Sequence, residues 1–190
     1  WLLVTGVQTC ALPISTGGAG LQADLKTFQE YGTFGMTAIT SIVTMDIDNN
    51  WSHDIDTIEP DLVKKQLNTI FSAGNPSALK TGMLGDIRTI TVVKEALTQH
   101  QPKNIVIDPV LACKGTAGIL LSENAETIQS QLLPLADITT PNLIEAGILS
   151  GLGELKTMSD IEKAAIIIHG FGAKHVVIKG GRRFDDQERS

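Results

Sequence analysis

The feature that most limits what this chain can fold into is a repeated change of hydrophobic period. Short apolar runs rich in β-formers alternate with longer stretches whose apolar residues recur every three or four positions, the periods of a buried strand and an amphipathic helix. Leu21, Leu25 and Phe28 stand at i, i+4 and i+7, which predicts a helix over Ala19 to Tyr31. The Thr-, Ile- and Val-rich run Met36 to Met45 predicts a strand after the turn Gly32 to Gly35, and Asp46 to Glu59 reads as a loop. Pro60 suits a first helical position, and Val63, Leu67, Ile70 and Phe71, with Leu62 at the edge, share one face of the helix it opens. The alternation continues with strand Ala78 to Met83, helix Ile87 to His100, strand Asn104 to Val110, helix Glu123 to Leu133, strand Asp137 to Thr140 and helix Asn142 to Ser150. Ser159 and Glu162 form the S-x-x-E pattern of a capping box, opening a helix to about His169 ahead of a last strand, His175 to Lys179. Strands separated by helices need right-handed crossovers, so the expected fold class is α/β with a mostly parallel sheet covered on both faces.

Composition bounds the function. A chain of 190 residues, 42% hydrophobic and 19% charged, has material for one core rather than two ordinary domains. No run approaches the roughly 18 consecutive apolar residues of a spanning helix, so no membrane partner is expected. A net charge of -6 without a basic cluster disfavours a nucleic-acid partner, because gripping a polyanion takes a dense cationic face. Cys10 and Cys113 make neither a disulfide framework nor a metal-ligand pair, and His53, His100, His169 and His175 show no ligand spacing. A reducing, cytoplasmic setting is the expectation.

Residues 1–14, WLLVTGVQTCALPI, lack the basic leading region and small-residue cleavage site of an export signal. Val7 to Ile14 back-translates into a sequence resembling a common sequencing-library adapter read in frame. Residues 1–14 are therefore expected to be non-native, with residues 15–190 forming part of one domain and the fold incomplete at both ends.

In a parallel sheet, chemistry gathers just beyond the carboxyl ends of the strands. Ser15-Thr16-Gly17-Gly18-Ala19-Gly20 is a glycine turn at a helix N-terminus, where backbone N–H groups meet anions or ring heteroatoms. Gly18-x-Gly20-x-x-Ala23 also satisfies a dinucleotide pattern, with Asp46 and Asp48 as ribose candidates, so a dinucleotide-binding oxidoreductase stands as an alternative of another class. Lys80-Thr81-Gly82-Met83-Leu84-Gly85 ends a strand in glycines that open space beneath Met83, which serves equally as core. Asp108, after Ile105-Val106-Ile107, is a lone carboxylate suited to Mg²⁺ or phosphates, or a plain turn former. Cys113, Lys114 and Gly115 follow in a flexible segment. Asn142 and Glu145 share one face at a helix start, as an oxygen pair for Mg²⁺ or as an N-cap and its capping partner. Lys179-Gly180-Gly181 offers a cation to a phosphate.

The order STGGAGLQADLKTFQEYGTFGMTAIT, KTGMLGD, NIVIDPVLACKG, TPNLIEA and HVVIKGG resembles the ribokinase-like vitamin kinases of the hydroxymethylpyrimidine and pyridoxal kinase branch, from Ser15 to Gly181. The resemblance implies a three-layer α/β/α fold, ATP with Mg²⁺, and transfer of the γ-phosphate to a hydroxymethyl group on a small aromatic heterocycle. It implies that Ala19, Asp24, Met45, His53, Met83 and Val110 bind the substrate and that Asp108, Lys114, Asn142 and Lys179 bind ATP. Glu145 and Asp108 would hold Mg²⁺, partly through water, and Cys113 would act from a lid. Pyrimidine kinases of this branch carry a Gln where Met45 stands, and a thioether cannot pair with an aminopyrimidine edge. The expected substrate is therefore pyridoxal or a related B6 vitamer, with a hydroxymethylpyrimidine as the near alternative and a non-catalytic binding protein as a further one. The family pattern places an acidic residue where Ile14 stands. Its anion hole and main catalytic base lie beyond Ser190, so this chain alone is expected to be inactive and the full-length protein a homodimer.

Overall fold

A computed structural model describes residues 6–11, 15, 17–49, 52–111 and 118–180. Eight strands and six α-helices follow in chain order among them: β1 (Gly6–Ala11), α1 (Gly20–Glu30), β2 (Phe34–Ile39), β3 (Ser41–Asp46), β4 (Ser52–Thr57), α2 (Pro60–Ser72), β5 (Ala78–Thr81), α3 (Ile87–His100), β6 (Ile105–Ile107), α4 (Gly118–Thr127), β7 (Ile138–Thr139), α5 (Leu143–Ser150), α6 (Met158–Gly170) and β8 (His175–Val176). Six strands form a parallel sheet in the order β2-β1-β5-β6-β7-β8, and β3 and β4 form a separate antiparallel ribbon. The chain moves from β1 outward to β2, then returns past β1 to β5. The order reverses between β1 and β5, and such a switch point leaves a crevice at the strand ends.

Each helix forms where its apolar stripe can be buried. On α2, Val63, Leu67, Ile70 and Phe71 are buried as the periodicity requires, while Leu62 lies outside the stripe and is exposed. On α3, Thr89, Ile90, Val93 and Leu97 are buried, and the Asp86 carboxylate caps the first turn by accepting from Thr89 N–H at 2.9 Å. Leu67, Leu79, Ile90, Ile107, Leu133 and Ile168 anchor one continuous core, each worth ~1.5–3 kcal/mol relative to exposure. The seat of α1 on β2 depends on Gly35, because a Cβ there would sit 2.5 Å from Leu25 Cδ2.

The structure corrects several expectations. The run Met36 to Met45 is not one strand: it breaks at the buried Thr40, so β2 stays in the sheet and β3 leaves it. The expected loop Asp46 to Glu59 contains β4, whose Met45↔His53 and Val43↔Ile55 pairs complete the ribbon. The helix expected at Glu123 begins at Gly118 and ends in a π-turn over Ile128–Leu132 and a 3₁₀ turn over Leu133–Leu135, closed by Pro134. The box at Ser159 and Glu162 is displaced. Thr157 is the N-cap, and Asp160 returns the hydrogen bond to its backbone. Strand β8 pairs only over His175–Val176, with an isolated bridge between Asn142 and Lys179 beyond it. Strand β1, within the segment expected to be foreign, takes up the interior place between β2 and β5.

Candidate functional site

The carboxyl ends of β5, β6, β7 and β8 bring together the charged residues that the sequence scatters. Asp108 leaves β6 with its N–H donated to Thr81 O at 3.0 Å, which fixes its carboxylate above the sheet end. Oδ1 accepts from Lys179 Nζ at 2.9 Å and from the Thr140 hydroxyl at 3.2 Å. Oδ2 faces Lys80 Nζ at 3.9 Å, and Lys80 donates to Asp24 Oδ2 on α1 at 3.1 Å. Lys179 is held at this end because its own N–H donates to Pro141 O at 2.9 Å.

Beside this chain of charges, Asn142 opens α5. Its Oδ1 accepts from the N–H groups of Ile144 and Glu145, both at 2.9 Å, and Glu145 Oε2 accepts from Asn142 N–H at 2.8 Å. The pair is therefore a completed capping box. Glu145 is also buried, and burial pushes its carboxyl above the usual range, with the Asp108 charge adding to the effect. Hydrogen bonds from the Asn142 and Leu111 backbones and the Lys179 charge act in the opposite direction. Asn142 and Glu145 thus lie at the charged cluster and also build the helix start.

An apolar wall adjoins the charges. Val43 and Met83 are buried together, with Met45, Ile55 and Val110 packed against them. Three residues expected at the substrate, Met45, Met83 and Val110, therefore meet in one cluster, although they come from the ribbon, from the segment after β5 and from the segment after β6. The ribbon is held at its base. The Thr40 hydroxyl donates to Met83 O at 2.6 Å and Ile58 N–H donates to Thr40 O at 2.9 Å. Gly85, at φ +84°, lets the backbone pass so close that a Cβ would stand 2.7 Å from Ser41 Oγ.

Of the remaining expected residues, Ala19 is the exposed N-cap of α1 at the glycine turn, and His53 is placed by its backbone opposite Met45. Cys113 and Lys114 lie outside the described residues. Asp46 ends β3 and Asp48 lies in the turn that follows, where Asp48 N–H donates to Asp46 Oδ1 at 3.0 Å. They lie at the end of a ribbon strand and in its turn rather than after a strand of the parallel sheet, which removes the ribose ligands the dinucleotide reading needs. Sequence reasoning missed Lys80 as a member of the site. The available signal was a lysine between the buried Leu79 and Thr81 on a central strand, where a charge must find a counter-charge.

A doubly wound sheet with a charged cluster and an apolar wall at one end defines an α/β scaffold with a candidate site at its strand ends, and solved structures identify it as ribokinase-like. The pyridoxal kinase from Staphylococcus aureus in complex with AMP-PCP and pyridoxal superposes with a TM-score of 0.87 at 47% identity, covering 96% of this chain and 64% of that one. The chain belongs to the phosphomethylpyrimidine kinase family, whose model matches residues 15–190. It is 48% identical over 174 residues to the pyridoxine kinase of Bacillus subtilis (strain 168), covering 92% of this chain and 64% of the relative. To the hydroxymethylpyrimidine/phosphomethylpyrimidine kinase of the same organism it is 36% identical over 172 residues, covering 90% and 62%. The chain thus spans less than two thirds of the length of these relatives.

Proposed function

We propose that this chain is the larger part of an ATP-dependent kinase that phosphorylates the hydroxymethyl group of pyridoxal and related B6 vitamers. The observation that carries the reading is the turn Asp108 to Val110. Its carboxylate enters the charged cluster while Val110, two residues on, joins Met83 and Met45 in the apolar wall. A triphosphate and a small aromatic ring need such neighbouring environments, since phosphoryl transfer relies on positioning and charge stabilisation. Lys179 would meet a phosphate oxygen, with Lys114 as a second cation from the segment after β6 and Cys113 as its lid thiol. Ala19, Asp24 and His53 would complete the ring's surroundings.

The donor set fits Mg²⁺. Asp108 and Glu145 offer hard carboxylate oxygens, and this ion is commonly held by one or two carboxylates with phosphates and water making up the rest. When bound, Mg²⁺ would neutralise charge on the triphosphate. The chain's own part is to hold Asp108 and Lys179 at the phosphate end and to exclude water along the Met83 wall.

Higher identity to a pyridoxine kinase than to a pyrimidine kinase supports the B6 substrate, as does the apolar Met45. We read residues 1–14 as a substitute for the family's own first strand, on the adapter-like back-translation of Val7 to Ile14. The family resemblance also carries a homodimeric, cytoplasmic full-length protein. No helix among the described residues is long and apolar enough to cross a membrane.

The test is ADP release by this chain from Ser15, fused to a family-type first strand and C-terminal segment, with Mg-ATP and pyridoxal or hydroxymethylpyrimidine offered separately. Turnover on pyridoxal is expected. Turnover on the pyrimidine alone would replace the B6 reading with the thiamine-precursor one, and a soluble chimera silent on both would leave a binding protein.

A further inference from the structure

Lys80 is tied to the site by geometry, yet the family resemblance gave it no role. Its strand, β5, lies at the point where the sheet order reverses, and its ammonium reaches Asp24 on one side and Asp108 on the other. We propose that Lys80 is a positioning residue: it holds the Asp108 carboxylate between the two halves of the site, so that Lys179 can leave Asp108 for a phosphate oxygen. This deepens the kinase reading and rests on it.

The two oxygens of Asp108 divide the labour. Oδ1 serves Lys179 and Thr140, which come from the β7 and β8 side, whereas Oδ2 faces Lys80 on the β1 and β5 side. Accessibility separates the two cations. The Lys179 side chain is 48% exposed and can turn to an incoming anion, while Lys80 is 27% exposed and flanked by carboxylates each 17% exposed. Asp24 fixes Lys80 with the shorter contact, 3.1 Å, so the lysine is anchored on α1 and presents its remaining charge to Asp108. Two carboxylates and two ammonium groups alternate along this line. A phosphate that draws Lys179 away leaves Asp24 and Asp108 facing each other across one cation, and that cation is Lys80. Without it, Asp108 would retain Lys179 as its sole cationic partner among these four groups and compete with the phosphate for it.

The experiment measures ADP affinity of this chain by fluorescence titration, without and with Mg²⁺, for the unaltered protein and for Lys80→Met, Lys80→Arg, Asp108→Asn and the Lys80→Met/Asp108→Asn double variant. Lys80→Met should weaken ADP binding about tenfold, equivalent to about 1.4 kcal/mol, and Lys80→Arg should stay within about threefold. In the Asp108→Asn background, Lys80→Met should change nothing, because no carboxylate remains to hold Lys179 back. A loss of the same size in both backgrounds would reduce Lys80 to a structural ion pair and overturn the proposal, as would an unchanged affinity for Lys80→Met.

Urea unfolding supplies a second readout that needs no ligand. The stability effects of Lys80→Met and Lys179→Met should be non-additive in the unaltered chain and additive once Asp108 is Asn. Additivity in both backgrounds overturns the positioning role. If this chain binds no ADP, the same titration on the chimera carrying the family-type C-terminal segment decides the kinase reading, and the unfolding cycle still decides whether Asp108 couples the two lysines. If Lys80→Met fails to fold, Lys80→Gln takes its place in both measurements.

Discussion

The charged cluster and the apolar wall meet at Asp108 to Val110, but they are built differently. The cluster's anchors, Lys80, Asp108 and Lys179, sit on or just beyond strands of the parallel sheet, whose ladders fix the backbone to within a register. The wall borrows two of its five residues from β3 and a third from β4, a two-stranded ribbon outside that sheet. A lone ribbon has little stability of its own, so this half of the site depends on packing and on the contacts at Thr40 and Gly85. The comparison teaches that placing charge and placing an apolar surface are separate problems here. Pairing solves the first, and burial of a few side chains solves the second.

The sharpest way to break the comparison is Met83→Ala. Truncating this buried side chain should cost about 3 kcal/mol in urea unfolding, through lost transfer energy and the cavity left behind. Pyridoxal affinity should fall while ADP affinity is retained. Equal losses for both ligands would show that the two halves are one cooperative unit.

A smaller effect is expected on the other side. Asn142→Ala removes the acceptor for two N–H groups at the start of α5 and should cost about 1 kcal/mol. Thermal unfolding of this variant beside Asn142→Ser separates the cap from any ligand role. Serine should restore stability, and if ADP affinity returns with it, Asn142 acts only as a cap.

The smallest effect lies at the far end of the sheet and serves as a reference. Asp137 accepts from Lys174 Nζ at 2.7 Å and from Ile105 N–H at 2.8 Å, and the lysine hydrogen bond leads in holding its carboxyl below the ordinary range. The unfolded chain therefore binds the proton more readily. The stabilisation is present above the ordinary carboxylate value and is lost as pH falls through the lowered native one. Asp137→Asn should thus be less stable than the unaltered chain at neutral pH, by well under ~1 kcal/mol for so exposed a lysine partner, and the gap should close on acidification. A gap independent of pH would show that neither the Lys174 nor the Ile105 hydrogen bond favours the charged form of Asp137.

Much of the scaffold was legible because burial imposes period on sequence. Helix α3 runs over the residues its stripe marked, Ile87 to His100, and the turns bearing Asp108 and Asn142 fall where the strands end. The ribbon was illegible for the same reason in reverse. In SHDIDT only Ile55 is apolar, so a strand with one small contact to bury looks like a polar loop. Thr157 was passed over as a cap because Ser159 and Glu162 match the same pattern two residues later, and only backbone geometry chooses between them. At the site, glycines and carboxylates at strand ends gave Asp108 and Asn142 directly. Lys80 precedes the end of its strand, and a partner fifty-six positions away on α1 leaves no local trace.

The strand order also carries a consequence for assembly. Strand β1 pairs on one edge with β2, which follows after one helix, and on the other with β5, where Val7 lies opposite Ala78. An interior strand of the sheet is thus the earliest of the described strands, and its second edge stays open until the ribbon and α2 have been passed. Closing so distant a pair costs loop entropy before any hydrogen bond repays it, so β1 and β2 are set to form first and the ladder from β5 to β8 to add afterwards. Whatever six residues stand at β1 serve as the template on which the later strands register.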